Sequence, residues 1–369
     1  MAESAPKMRR RNLGLSELEV PIVCLGTMTW GEQNTEEEAF EQLDYALANG
    51  VNFIDTAELY PVPPRPETVG RTETYIGNWL KARGCRDKVI LATKVAAPLP
   101  GVDRSWVVAN RTDPPGPATQ PVMDEESIRS ALEGSLRRLQ TDYIDLYQIH
   151  WPARYVPLWG KRQYRPELEQ AYVPFELQVW VMNELINEGK IRHWGLSNET
   201  SYGVSQMFEV AIRLHMTPPI SIQNDFSPVY RHFEEELAET CAPGANTMGL
   251  LAYGVLAGGT LSGKYLDGSE PDKGRHKDFP NFQPRYHQPA TRAAAAEYAA
   301  LAKRVGLSPA TLAQAWVASR WYVASVIIGA TTMEQLKENI AACQVVLDES
   351  TLAEMDAIHM RHRNPNDLD

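Results

Sequence analysis

Four residues of types suited to proton transfer close, or closely follow, three successive apolar runs. Asp55 ends GVNFID, Tyr60 lies five residues beyond it, Lys94 ends VILATK, and His150 ends YIDLYQIH. A phenol, with its ordinary pKa near 10, exchanges protons poorly at neutral pH unless neighbours adjust it, and a positioned ammonium lowers the cost of the phenolate. On this reading Asp55 holds Lys94 charged, Lys94 tunes Tyr60, and His150 aims a hydrogen bond at the reacting oxygen. Such a set protonates an oxygen as negative charge builds on it, as happens at a carbonyl when hydride reaches its carbon. Taken singly, each residue fits a structural role as well. It is their shared placement at strand ends that carries the reading.

That placement needs parallel neighbouring strands whose C-terminal ends open on one face. Eight short strand patterns run through the chain: 23–28, 51–56, 88–94, 143–150, 191–196, 220–223, 249–252 and 325–328. Helical patterns follow them. The first opens with the capping box Thr35-Glu-Glu-Glu38 and stops at Gly50; others cover 72–83, 124–139, 174–190, 201–214, 233–240, 289–305 with 308–320, and 333–345. An extra helix is expected over 350–362. Alternating units of this kind predict an α/β fold, a (β/α)8 TIM barrel, with right-handed crossovers. The start of the chain predicts a β-hairpin turning at Gly14 to Ser16. The whole of 1–369 reads as one barrel domain, with 1–8 and 363–369 expected as flexible tails. Long loops at 96–122, 152–170 and 266–288 are expected over the C-terminal face, enclosing a ligand. A doubly wound sheet is disfavoured because no G-x-G-x-x-G follows the first strand.

The chain has 369 residues, 43% of them hydrophobic, and a formal net charge of −11. No apolar run reaches the roughly 20 residues that a membrane helix requires, and the acidic balance offers no pull towards nucleic acid or anionic lipid. No membrane or nucleic-acid partner is expected. Cys24, Cys85, Cys241 and Cys343 have no paired spacing and no nearby His, which fits a reducing compartment and excludes a compact zinc site. The sequons at Asn110 and Asn198 lack an apolar leader to give them meaning, so a cytoplasmic location is expected, with an organelle left open. Gly258 to Lys264 nearly spells a triphosphate-binding loop. Tyr265, however, stands where the metal-binding hydroxyl belongs, so a glycine-rich turn around a pyrophosphate suits these residues better. His359 and His362 read as a solvated helix end, and no metal site is expected.

The ordered series GTMTWGEQN, FIDTAELY, LATKV, DLYQIHWP, GLSNET and IIGATTMEQLKENI resembles the aldo-keto reductase superfamily, and PVPPRPETVGRTETYIGNWL with LQTDYIDLYQIHWP is similar to its Tas-type branch. The resemblance implies an NADP(H)-dependent reductase of aldehydes, with some ketones, whose catalytic residues are Asp55, Tyr60, Lys94 and His150 and whose general acid is Tyr60. It implies that Ser197, Asn198 and Gln223 bind the nicotinamide carboxamide and that Tyr253 stacks on the ring. The loop from Gly254 through Leu256 and Gly258 to Lys264 would wrap the pyrophosphate. Gly329, Thr331 and Thr332 would lie at the adenosine phosphate, with Gln335, Glu338 and Asn339 beside the adenine; Gly26, Thr27, Met28 and Asp55 also belong to the cofactor site. Trp30 and Trp151, with Tyr60 and His150, would line the mouth for a small carbonyl substrate. One departure is that many smaller members carry a Lys and an Arg where this chain has Gly329 and Gln335. Lys264 or Arg275 is then expected to meet the 2′-phosphate, as in the branch containing the potassium-channel β-subunits. Those subunits supply a second expectation, an NADP(H)-binding regulatory or sensing subunit. The helix patterns leave the oligomeric state open.

Overall fold

The computed structural model describes residues 8–266, 271 and 273–369. A hairpin of β1 (Arg10–Asn12) and β2 (Glu19–Pro21) leads into β3 (Val23–Gly26), β4 (Phe53–Asp55), β5 (Ile90–Val95), β6 (Ile144–Ile149), β7 (Ile191–Ser197), β8 (Ser221–Asp225), β9 (Gly249–Tyr253) and β10 (Val323–Ile328). The last eight close a barrel in the order β10-β3-β4-β5-β6-β7-β8-β9, parallel throughout. This is the expected (β/α)8 fold, and all eight strand patterns form strands.

Period-two alternation divides the strands between two cores. Cys24, Phe53, Ala92, Leu146, Leu251 and Ala324 fill the barrel interior, and the hairpin's Leu13 and Val20 plug its floor. Gly14 makes that plug fit: its φ is +59°, and a Cβ there would lie 2.5 Å from the Ile220 carbonyl oxygen. The alternate residues Leu25, Ile54, Leu91 and Ile149 face outward to the helices. Continuing the inward row one step upward from Phe53, Ala92 and Leu146 reaches Asp55, Lys94 and Gln148, so the same alternation that packs the floor arms the upper face.

The outer layer comprises α1 (Glu36–Ala48), α2 (Arg71–Arg83), α3 (Ser105–Ala109), α4 (Glu125–Leu139), α5 (Phe175–Asn187), α6 (Ser201–Arg213), α7 (Leu237–Thr240), α8 (Arg275–Asp278), α9 (Pro289–Arg304), α10 (Pro309–Ser319), α11 (Met333–Ala342) and α12 (Glu349–Arg361). The capping box at α1 is complete, with Glu38 N donating to Thr35 Oγ1 and Thr35 N to Glu38 Oε2. The helix expected over 233–240 is a 3-10 turn followed by the four-residue α7. Phe233 is pinned edge-on to Phe226, and Glu234 is drawn to Arg231 and Tyr322, which fixes the chain before a continuous helix can form.

The expected C-terminal tail is instead docked. Asn366 is fully buried, its Oδ1 accepting from Thr291 Oγ1 at 2.6 Å, and Leu368 N donates to Gly160 O at 2.7 Å. The segment therefore braces the loop after β6. Residues 1–7 of the expected N-terminal tail lie outside the described residues, as do 267–270 and 272 of the loop after β9. Among the described residues no helix is long and apolar enough to cross a membrane.

Candidate functional site

Lys94 is the hinge of the upper face. Fully buried, it sends its ammonium to Asp55 Oδ2 at 2.7 Å, to Thr56 O at 2.7 Å and to Tyr60 Oη at 3.3 Å. Burial alone would drive this ammonium down in pKa, but Asp55 and then Tyr60 outweigh it and the net displacement is upward. Tyr60 comes to Lys94 because the turn after β4 folds back, Tyr60 N donating to Ala57 O and Tyr60 O accepting from Gly70 N. Burial raises the phenol above its ordinary range, and Lys94, pulling the other way, does not cancel it. The expected easing by Lys94 is thus present but smaller than the cost of burying a phenolate, and Tyr60 holds its proton at neutral pH. The His150 ring lies 5.7 Å from that of Tyr60, edge to face. Burial, then the like charges of Lys94 and Arg104, hold its imidazole well below 6.5, so His150 is neutral; its Nδ1 is buried with no partner among the described residues.

These groups open into one cleft of about 970 Å³. All the anticipated site residues line it except Lys94, which sits behind Asp55 and Tyr60, and Trp30. Trp30 is a correction: it is fully buried, its Nε1 donating to Gln42 Oε1 at 3.3 Å, and it packs between α1 and the barrel rather than at a substrate mouth. Trp151 does line the cleft, oriented by a bond from its Nε1 to Pro98 O.

Two stretches along the cleft suit an extended molecule bearing phosphates. At one, Asn198 takes a bond from Tyr253 Oη at 2.6 Å and spends its Nδ2 on His150 O and Ser197 Oγ; Gln223 Nε2 donates to Asp55 Oδ1 at 2.8 Å. At the other, Gly254, Gly258 and Gly259 all have positive φ. A Cβ at Gly254 would stand 2.4 Å from Asp225 Oδ1, so only glycine permits this close turn. Lys264 and Arg275 face this loop, and among the described residues neither forms a salt bridge. Burial lowers both, and the two charges disfavour one another at Lys264. Asp278, on the same wall, supports the charge of Lys264 but bridges to neither cation, and two cations left without a direct carboxylate partner are matched to a phosphate. On the far wall Gln335 Oε1 is spent on Thr331 N, and Asn339 on Gly329 O and Gln314.

Several lining or supporting residues escaped the sequence reading. Gln148 is fully buried, donates to Asp55 Oδ1 at 3.1 Å and accepts from Gln223 Nε2 at 3.0 Å, linking the carboxylate to the amide. Its signal was available: a polar residue two before His150 on an apolar strand shares that residue's face. Arg285 and Tyr286 both bond Asp225 Oδ2 beneath Gly254. Leu99, Arg104, Trp159 and Phe282 reach the cleft from the three long loops, where no periodicity marks a facing side chain.

The chain matches the Aldo/keto reductase family over residues 22–360. It is 44% identical over 358 residues to "Protein tas" of Escherichia coli (strain K12), covering 97% of this chain and 99% of that protein. It is 32% identical over 348 residues to "Uncharacterized oxidoreductase YrpG" of Bacillus subtilis (strain 168), covering 94% of each, and 27% identical over 364 residues to "Norsolorinic acid reductase B" of Dothistroma septosporum, covering 96% of this chain and 83% of that one. With a closed parallel barrel and a family match over nearly its whole length, the chain is an oxidoreductase of the Aldo/keto reductase family, similar to its Tas-type members.

Proposed function

We propose that this protein is an NADP(H)-dependent reductase of aldehydes, and of some ketones, with Tyr60 as its general acid. The observation that carries the reading is a protonated, buried phenol in contact with a charged Lys94–Asp55 pair and beside a neutral histidine. Ser197, Asn198 and Gln223 would hold the nicotinamide carboxamide, Tyr253 its ring, the loop from Gly254 to Lys264 the pyrophosphate, Lys264 or Arg275 the 2′-phosphate, and Gln335, Glu338 and Asn339 the adenine. When bound, the cofactor supplies the hydride.

The chain's own residues handle the oxygen. His150, neutral, orients the carbonyl by a hydrogen bond without competing as an acid. Tyr60 gives its proton to that oxygen as charge develops, and the phenolate left behind is held by the Lys94 ammonium, which Asp55 keeps charged. Gln148 and Gln223 occupy Asp55 Oδ1, directing its other oxygen at Lys94.

Titration with NADPH and separately NADH, followed by protein fluorescence, and then consumption of NADPH on addition of an aldehyde panel, tests the reading. Selective NADPH binding with turnover is expected. In Tyr60→Phe, turnover falls by about 10²–10⁴-fold while NADPH affinity is retained; loss of both in equal measure would show the residue misassigned. Binding without turnover across the panel would favour a nucleotide-sensing subunit instead.

A further inference from the structure

The substrate end of the cleft contains a charge that the proposed chemistry does not use. Arg104, half-buried on the loop between β5 and α3, lines the cleft with His150, Trp151, Trp159, Leu99 and Phe282. Its Nε is buried with no hydrogen-bond partner, and no carboxylate among the described residues forms a salt bridge with it. The carboxylate beside it in the chain, Asp103, is already engaged: Oδ1 accepts from Ser105 N at 2.9 Å and from Gln120 Nε2 at 2.7 Å. The guanidinium rests 5.5 Å from the centre of the Trp106 ring, which supports it without neutralising it. Burial weakens its hold on the charge, which the nearby Asp103 offsets only in part, and that charge is felt at His150. Leu99, Phe282, Trp151 and Trp159 give this end apolar and aromatic surface, with the two tryptophans set edge to face, 6.2 Å apart.

Resting on the reductase reading, we infer that the preferred substrates are carbonyl compounds with an apolar or aromatic body and a carboxylate group, which Arg104 receives while the carbonyl lies at Tyr60 and His150. A planar guanidinium with no carboxylate partner is matched to a carboxylate, and an uncharged substrate would leave this half-buried group without a counter-charge.

The test is kcat/KM for 4-formylbenzoate against its uncharged isostere 4-formylbenzamide, with NADPH. Charge-assisted hydrogen bonding supports a preference of about 10- to 100-fold for the anion. In Arg104→Met that ratio falls to near one, and Arg104→Lys retains part of it. A wild-type ratio near one, or a ratio unchanged in Arg104→Met, overturns the inference. If the reductase panel shows turnover while this ratio is near one, only the substrate class is lost. If the panel shows none, the reductase reading falls and takes this inference with it.

Discussion

The Lys94–Asp55 pair should behave as a unit, and its coupling can be measured. The Lys94 side chain is fully buried and that of Asp55 is 2% exposed, at 2.7 Å from one another. Asp55→Asn leaves an ammonium with only Thr56 O and Tyr60 Oη, and Lys94→Met leaves a carboxylate with only two glutamine amides. Stranding a buried charge in this way costs about 3–5 kcal/mol. At ~2.1 cal/mol/K per residue, the unfolding entropy of a 369-residue chain makes this a fall in Tm of about 4–6 °C for either variant. The double variant strands neither charge, so it should cost no more than about 3–5 kcal/mol rather than the sum, a coupling of at least about 3 kcal/mol. Urea unfolding of the four proteins closes the cycle. Additive losses would show that the pair is not the interaction it is taken for. The pH dependence has a defined sign: because Lys94 is raised in the folded state, its contribution is complete below 10.5 and is lost as pH rises through the higher folded value. Lys94→Met should lack that alkaline limb.

Other predictions concern single positions. His150 is depressed below 6.5, so the stability it contributes as a neutral group is complete above that pH and falls as pH drops towards the folded value; His150→Gln should flatten this acid limb in Tm measured against pH. For the wild type, kcat should not decline as pH rises through 6.5, because the working imidazole is neutral. Trp30→Phe should lower stability by about 1–3 kcal/mol with KM unmoved, whereas Trp151→Ala should raise KM; the reverse pattern would restore Trp30 to the substrate mouth. Gly254→Ala forces a side chain onto a residue at φ +68° against Asp225 and Tyr286. That substitution should cost about 1–3 kcal/mol and weaken NADPH binding in a fluorescence titration.

The barrel was legible because its signals are local. Each strand is a short aliphatic run, the longer helices are 3.6-residue stripes, some with a cap such as Thr35, and eight alternations leave few topologies. The catalytic candidates were legible for the same reason: Asp55, Lys94 and His150 are polar residues terminating apolar runs. The order of forces at those residues was not. That Tyr60 stays protonated despite Lys94 depends on how completely the turn after β4 is buried, a property of the whole face.

By itself the sequence determined the eight barrel strands, most of the helices between them, their parallel order and which residues stand at the strand ends, since these follow from periodicity and chain direction. Only the tertiary structure decided where loop and helix-facing side chains go. Trp30 and Trp151 are both aromatic residues following a strand, yet packing sends one into the core beside Gln42 and the other to the cleft. Arg104 and the docked Asn366 lie in segments without periodicity, so no local pattern could name the cleft that one lines or the distant Thr291 that the other meets.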